Sequence, residues 1–175
     1  MGKYKVKIEG TRGLMVCNPL CEKLELKEPD MELAKQHADK RLYKSANGTI
    51  IIPASHIKAS MKDAAKKVGV SGQGRTKCAR YIGSQIRVTP NEIPIKGTWE
   101  TDVRYCKVPA SGGRILVARP VFPEWSIECE VEVLDDKLLP SSAIETILTD
   151  AGRIYGIGTY REEFGQFSVK VKKIP

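Results

Sequence analysis

Residues 124–134 carry the strictest pattern in the chain, and they dictate what the rest must supply. Ile127, Cys129, Val131 and Val133 alternate with Glu128, Glu130 and Glu132, the period-two signature of a strand with one buried and one solvated face. Such a strand needs backbone partners and a cover for its apolar side. Leu139 to Ala151 provides a cover. It is predicted to be a helix, with Ser142 and Glu145 as a capping box and Ile144, Ile147, Leu148 and Ala151 on one face. Gly152 is its expected C′ residue. Phe167, Val169 and Val171 mark a last strand, whose outward Lys170 and Lys172 have the sign to complement the glutamates if the two strands are neighbours.

Between that helix and strand, Gly152, Gly156, Gly158 and Gly165 fall within fourteen residues, with Arg153 and Arg161 among them. Glycine is favoured where a backbone turns with positive φ or approaches another backbone closely. Main-chain N–H groups and two arginines in one loop suggest an anion site. A helix cap followed by a tight turn explains the same glycines.

The upstream half repeats the unit. Tyr4, Val6 and Ile8 alternate with polar residues in a first strand. Residues 17–49 contain Pro19, Pro29 and mixed charge, and read as an insertion with a helix from Asp30, its N-cap, to Tyr43. Thr49 to Pro53 is a short strand, and Ser55 is the expected N-cap of a second helix. Ile57, Met61, Ala64, Ala65 and Val68 form one face of that helix, and Lys58, Lys62 and Lys66 stack on another. Gly69 is expected to end it, and residues 69–84, with four glycines, are expected to be a basic loop carrying Arg75, Lys77 and Arg80. Gly72 to Lys77 is similar to a phosphate-binding loop but lacks the G-x4-G-K-[ST] spacing, which argues against nucleotide hydrolysis by that route.

Ile86, Val88, Ile93 and Ile95 mark a strand broken by Pro90 and Pro94. Residues 96–122 read as a long β-hairpin with a turn at Ser111-Gly112-Gly113. Its tip region, 96–113, carries Trp99, Arg104, Tyr105 and Lys107. Exposed aromatics there would stack on unpaired bases, and Trp99 serves equally well as core. The order is that of an α+β, ferredoxin-like (βαββαβ, RRM-like) antiparallel sheet. The chain is expected to be one domain, 1–175, with the insertion after strand one and the hairpin as a thumb.

Charge locates the partner. The formal net charge is +8, and residues 56–87 hold eight Lys/Arg against the single acid Asp63. A segregated basic zone on an otherwise balanced chain is the footprint of a polyanion. No apolar run approaches the ~20 residues that span a bilayer, the N-terminus leads straight into a strand rather than a signal peptide, and no membrane partner is expected. The five cysteines have no framework spacing and read as reduced thiols of a cytoplasmic protein. Cys17 and Cys21 form a C-x3-C pair that needs two further ligands for zinc, from Cys78, Cys106, His37 or His56. No cofactor is expected.

Two motifs carry a resemblance. Ile52-Pro53-Ala54-Ser55-His56-Ile57-Lys58-Ala59 resembles the I-P-G-S-S-L-K-G signature of the RAMP superfamily, the ferredoxin-like RNA-binding proteins of CRISPR effector complexes. Gly156-Ile-Gly158-Thr-Tyr-Arg161-Glu-Glu-Phe-Gly165-Gln-Phe167 resembles its C-terminal glycine-rich loop, and the basic hairpin falls where backbone subunits carry a thumb. The chain departs from the pattern at Ala54, Ala59 and His56, and at Glu162 and Glu163, which bring negative charge into the loop. It is also short for a backbone subunit, and its compact ending looks like that of uncharacterised phage proteins, so a solitary phage or mobile-element form is an alternative source.

The resemblance implies a non-enzymatic protein that binds single-stranded nucleic acid, RNA ahead of DNA, and polymerises along it as a homo-oligomer or filament, with or without other effector subunits. By position, Ser55, His56 and Lys58 would meet phosphate at the helix N-terminus, Arg153 and Arg161 would flank Gly156 and Gly158, and Arg104, Tyr105 and Lys107 would sit on the thumb. Two alternatives stay open. One is a RAMP-type endoribonuclease, metal-independent through His37 or His56, or metal-dependent through Asp30 or Asp39. The other is a phage structural or interaction protein that reuses the fold.

Overall fold

The structure is a computed structural model that describes residues 1–19, 25–67, 75–107, 112–161 and 163–174; for residues 75–77 the description extends to the backbone only. In chain order the elements are β1 (Gly2–Gly10), β2 (Leu14–Met15), α1 (Met31–Lys40), β3 (Ile51–Pro53), α2 (Ala54–Ala65), α3 (Arg75–Gln85), β4 (Ile86–Thr89), β5 (Glu92–Pro94), β6 (Glu100–Lys107), β7 (Arg114–Phe122), β8 (Ser126–Val133), α4 (Ser141–Asp150), a π-helical turn (Ala151–Tyr155) and β9 (Phe167–Ile174).

Four strands form the principal sheet in the order β4-β8-β1-β9, with every neighbouring pair antiparallel. With α2 between β1 and β4 and α4 between β8 and β9, this is a mixed α/β architecture compatible with a ferredoxin-like fold. Alternation sets its two faces. Tyr4, Val6 and Ile8 of β1 and Ile127, Cys129, Val131 and Val133 of β8 are buried under the helices. Ile57, Met61, Ala64 and Ala65 of α2 and Ile144, Ile147 and Leu148 of α4 join them in one cluster. Each large aliphatic side chain so buried stabilises by roughly 1.5–3 kcal/mol.

The charged alternates of β1 and β8 face the other way in a cross-strand ladder, with Lys3 opposite Glu132, Lys5 opposite Glu130 and Lys7 opposite Glu128. This corrects the expected pairing of the glutamates with Lys170 and Lys172. Strand β9 lies on the far side of β1, so those lysines stand opposite Lys7 and Lys5.

Hairpin β6–β7 belongs to a second, three-stranded sheet with β2. Helix α1 of the insertion packs on it through Ala34, beside Leu26, Leu116 and Ala118. Asp30 caps α1, accepting from the amides of Glu32 and Leu33 at 3.0 and 3.1 Å.

Four local expectations fail. Residues 75–85 are helical where a loop was expected. Gly83 faces open space and costs only propensity, and Cys78, Ala79 and Ile82 are buried against α2. The expected N-cap Ser55 lies inside α2, which starts directly after Pro53 and has no side-chain cap. The capping box of Ser142 and Glu145 is not formed, since α4 begins at Ser141 after Pro140. Ser141 instead bonds the Tyr4 hydroxyl at 2.8 Å. Gly152 does not terminate a helix. The chain continues through the π turn, and a Cβ at Gly152 would strike the Phe167 carbonyl. Gly69 and the turn residue Ser111 lie outside the described residues.

Candidate nucleic-acid interface

The glycine loop is built by contact with the start of the chain. The Thr159 amide donates to the Met15 carbonyl at 2.8 Å, the Gly165 amide to the Gly13 carbonyl at 2.7 Å, and the Ile157 amide to the Gly165 carbonyl at 3.0 Å. Such tight seams leave no room for side chains. Gly158 and Gly165 have φ of 84° and 79°, and a Cβ would meet the carbonyl oxygens of Met15 and Ile157 respectively. These amides, with those of Gly156, Glu163 and Phe164, are spent on protein carbonyls. The expectation that the loop offers main-chain N–H groups to an anion is therefore not met by them. What the loop offers is Arg161.

Arg161 meets the other sequence motif. It lines a cavity of about 370 Å³ together with Gly158 and, from α2, Ser55, His56 and Ala59. The α2 N-terminus has no side-chain cap and no acid in its first turn; the Ala54 amide donates to the Asn91 carbonyl at 2.8 Å, and the positive dipole end lies at this cavity. The Arg161 side chain is 41% exposed and donates to Asp63 Oδ2 at 3.1 Å, and Lys66 donates to Asp63 Oδ1 at 2.8 Å. The Lys66 ammonium, then the Arg161 guanidinium, hold Asp63 below the usual carboxylate range against the opposing pull of burial. The only acid of the basic zone thus orients one of its own cations, Lys66, and Arg161 of the loop.

His56 is half-buried, and burial followed by the nearby Arg161 charge depresses its pKa, which favours the neutral imidazole. Its ring meets Tyr43 edge-on with centroids 5.6 Å apart. The Tyr43 hydroxyl donates to the Cys17 carbonyl at 3.2 Å and lies 3.4 Å from His56 Nε2.

From this cavity a basic surface runs along α2. Lys58 is half-buried, whereas Lys62 and Lys66 are exposed. Those two line a further concavity of about 470 Å³ with Ala79 and Arg80 of α3. Arg75 and Lys77 fall on the first turn of α3, and their side chains are outside the described residues. Arg153 does not share a site with Arg161. It projects from the π turn, bonds Asp150 at 3.3 Å, and lines a separate cavity with Arg12.

The hairpin divides its expected residues. Tyr105 is 67% exposed and Lys107 is exposed, but the half-buried Arg104 is committed to neighbouring side chains. It holds both oxygens of Asp102 at 2.5 and 2.6 Å, approaches Glu163 at 3.8 Å, and lies over the Phe164 ring at 5.1 Å. Glu163 therefore ties the loop to the hairpin, and Glu162 is outside the described residues. Trp99 packs on the core.

The catalytic alternatives separate. Asp30 is spent as a cap, Asp39 pairs with Lys44 at 2.6 Å, and His37 is buried on α1 with its pKa lowered mainly by burial. Among the described residues no group of His, Cys, Asp and Glu could hold a metal, and Cys17, Cys78, Cys106 and Cys129 are free thiols; Cys21 lies outside them. No described helix is long and apolar enough to cross a membrane.

Sequence reading missed Tyr43, Tyr155, Tyr160 and Arg12. Tyr160 had a visible signal, since it adjoins the motif arginine. It adopts φ of 56°, and its ring lies 5.0 Å from the Arg119 guanidinium and 5.7 Å from that of Arg104. The open sheet face carries Lys, Glu and Ser on β1 and β8 and no aromatic, unlike the base-stacking platform of an RRM.

No family model matches the sequence, and no curated protein matches it. Among solved structures, a chain from the cryo-EM structure of the Type III-B Cmr-beta bound to cognate target RNA is similar, with a TM-score of 0.66 at 12% identity. The match covers 99% of this chain and 60% of that one, so the present chain spans about 60% of its neighbour's length. At this identity the likeness is one of fold, and it is compatible with the ferredoxin-like fold that the two sequence motifs led us to expect.

Proposed function

We propose that this chain is a single-stranded nucleic-acid-binding protein, RNA first, of the RAMP-like type that serves as a CRISPR backbone subunit and polymerises along its strand. The observation that carries this reading is the convergence of the α2 N-terminus, which has no side-chain cap, with His56 and Arg161 on one cavity. A phosphate there gains the helix dipole, a guanidinium and, once protonated, an imidazolium. The lysines of α2 extend that site along a backbone. The RNA-bound complex that contains the fold neighbour supports RNA as the ligand.

The test is fluorescence anisotropy of a labelled ~30-nucleotide single strand across a salt series. The logarithm of the affinity should fall linearly with log salt, with a slope of roughly 0.7 per phosphate contacted. No binding at low salt to RNA or DNA sinks the proposal. Light scattering with and without RNA tests polymerisation, and an unchanged particle size counts against it.

A second reading rests on the neutral His56 beside Arg161. As general base His56 would take the ribose 2′-OH proton while the 2′-oxygen displaces the 5′-oxygen to leave a 2′,3′-cyclic phosphate, with Arg161 stabilising the phosphorane and water protonating the departing 5′-oxygen, a metal-independent cleavage. It requires chelator-resistant cleavage that His56→Ala and a 2′-deoxy substrate both abolish.

A further inference from the structure

Three cavities adjoin one another through shared residues. Arg161 lines both the α2 cavity and a second one of about 530 Å³, whose other walls are Ile154, Tyr155 and Tyr160. Ile154 in turn lines both this second cavity and a third of about 550 Å³, where Arg12 and Arg153 stand with Thr149 and Ser168 at the edge of β9. The sequence of linings is therefore cationic, aromatic and apolar, then cationic again. Ile154 and Tyr160 are 43% and 41% exposed although both are large and apolar-bodied. The π turn sets this spacing. It places Arg153, Ile154 and Tyr155 at consecutive positions and turns the arginine toward β9 while Tyr155 stays beside the loop. Lys67 lies 5.7 Å from the Tyr155 ring, and Arg12 has no ion-pair partner among the described residues.

We infer that the bound single strand continues from the α2 cavity across the glycine loop, with one base in the Ile154–Tyr155–Tyr160 cavity and the next phosphates between Arg12 and Arg153. The alternation of linings matches the alternation of a nucleotide chain, phosphate then base then phosphate, and base–aromatic stacking tolerates any sequence. The inference rests on the reading of the α2 cavity as a phosphate site.

The experiment uses the full chain and single-stranded RNAs of ~4 and ~12 nucleotides, lengths that bracket a short and an extended site. Arg12→Glu with Arg153→Glu should weaken the longer RNA by about tenfold, flatten its salt slope by roughly 1.4 for two lost phosphate contacts, and leave the shorter RNA unchanged. Tyr155→Ala should weaken the longer RNA by about fivefold with its salt slope intact, as loss of stacking requires. Circular dichroism checks that each variant is folded, and Ile154→Ser at the exposed position repeats the Tyr155 test if Tyr155→Ala is not. If the double arginine variant binds the longer RNA like the parent, or loses both lengths equally, the path is wrong while the α2 site stands. If the parent binds neither RNA, the α2 reading falls and takes the path with it.

Discussion

The two sides of the four-stranded sheet carry comparable numbers of cations and use them differently. On the open face, Lys3, Lys7, Lys96 and Lys170 each lie within 4 Å of a glutamate. On the helical side, Lys66 and Arg161 share Asp63, and Lys62 and Arg80 have no ion-pair partner among the described residues. The open face is close to self-neutralised and lacks aromatics, so it has little to offer a polyanion. The helical side has charge in excess and concave places to put a ligand. Cation count says where a protein is soluble; unbalanced cations beside a cavity say where it binds.

The severest break of this contrast is structural. Gly165→Ala would force a Cβ onto the Ile157 carbonyl at positive φ, costing about 3 kcal/mol. Denaturant unfolding reads the cost, and an unchanged midpoint would show that the loop seam is not required. Next, Lys62→Glu, Lys66→Glu and Arg161→Ala together should weaken a ~30-nucleotide RNA about a hundredfold at low salt, measured by anisotropy.

A smaller effect sharpens the role of His56. The folded free protein holds its pKa below 6.5, and a phosphate alongside would favour the imidazolium. The complex therefore binds more protons than the free protein, and the affinity should rise about threefold from pH 7.5 to 5.5 and lose that rise in His56→Ala. The unfolded chain protonates His56 and His37 before the folded one does. Stability without RNA should accordingly fall as pH drops below about 6.5, which thermal melts at the two pH values check. The smallest effect belongs to the other face, where Lys5→Glu with Lys172→Glu should change affinity less than about twofold. A loss matching the helical-side variant would erase the distinction between the faces.

Much of the fold was legible because it rests on short-range pattern. Period-two alternation gave β1, β8 and β9, and the Ile144–Leu148 stripe gave α4. Helix α3 was not legible, because the signals for it, Gly74, Gly83 and three basic residues, are those of a loop, and what stabilises it is burial of Cys78, Ala79 and Ile82 against another helix. Strand neighbours were equally hidden. The alternation of Lys170 and Lys172 is the same whether β9 lies beside β8 or β1. At the site, Arg161 and the α2 N-terminus were legible as motifs. Arg104 and Arg161 look alike in sequence, and only tertiary structure shows that Asp102 and Glu163 occupy the first. The glycines of the loop fit an anion site and a tight turn equally well in sequence; the structure sets Gly156, Gly158 and Gly165 backbone against backbone.

The seam between the glycine loop and the start of the chain also bears on how the protein is made. Gly13 and Met15 leave the ribosome early, and their partners Gly165 and Thr159 leave late. Strand β1 likewise waits for both of its neighbours, β8 and β9. Contacts so remote in sequence form slowly. A nascent chain interrupted before β9 holds the lysines of α2 but no framed Arg161, so the proposed site is complete only once β9 has emerged.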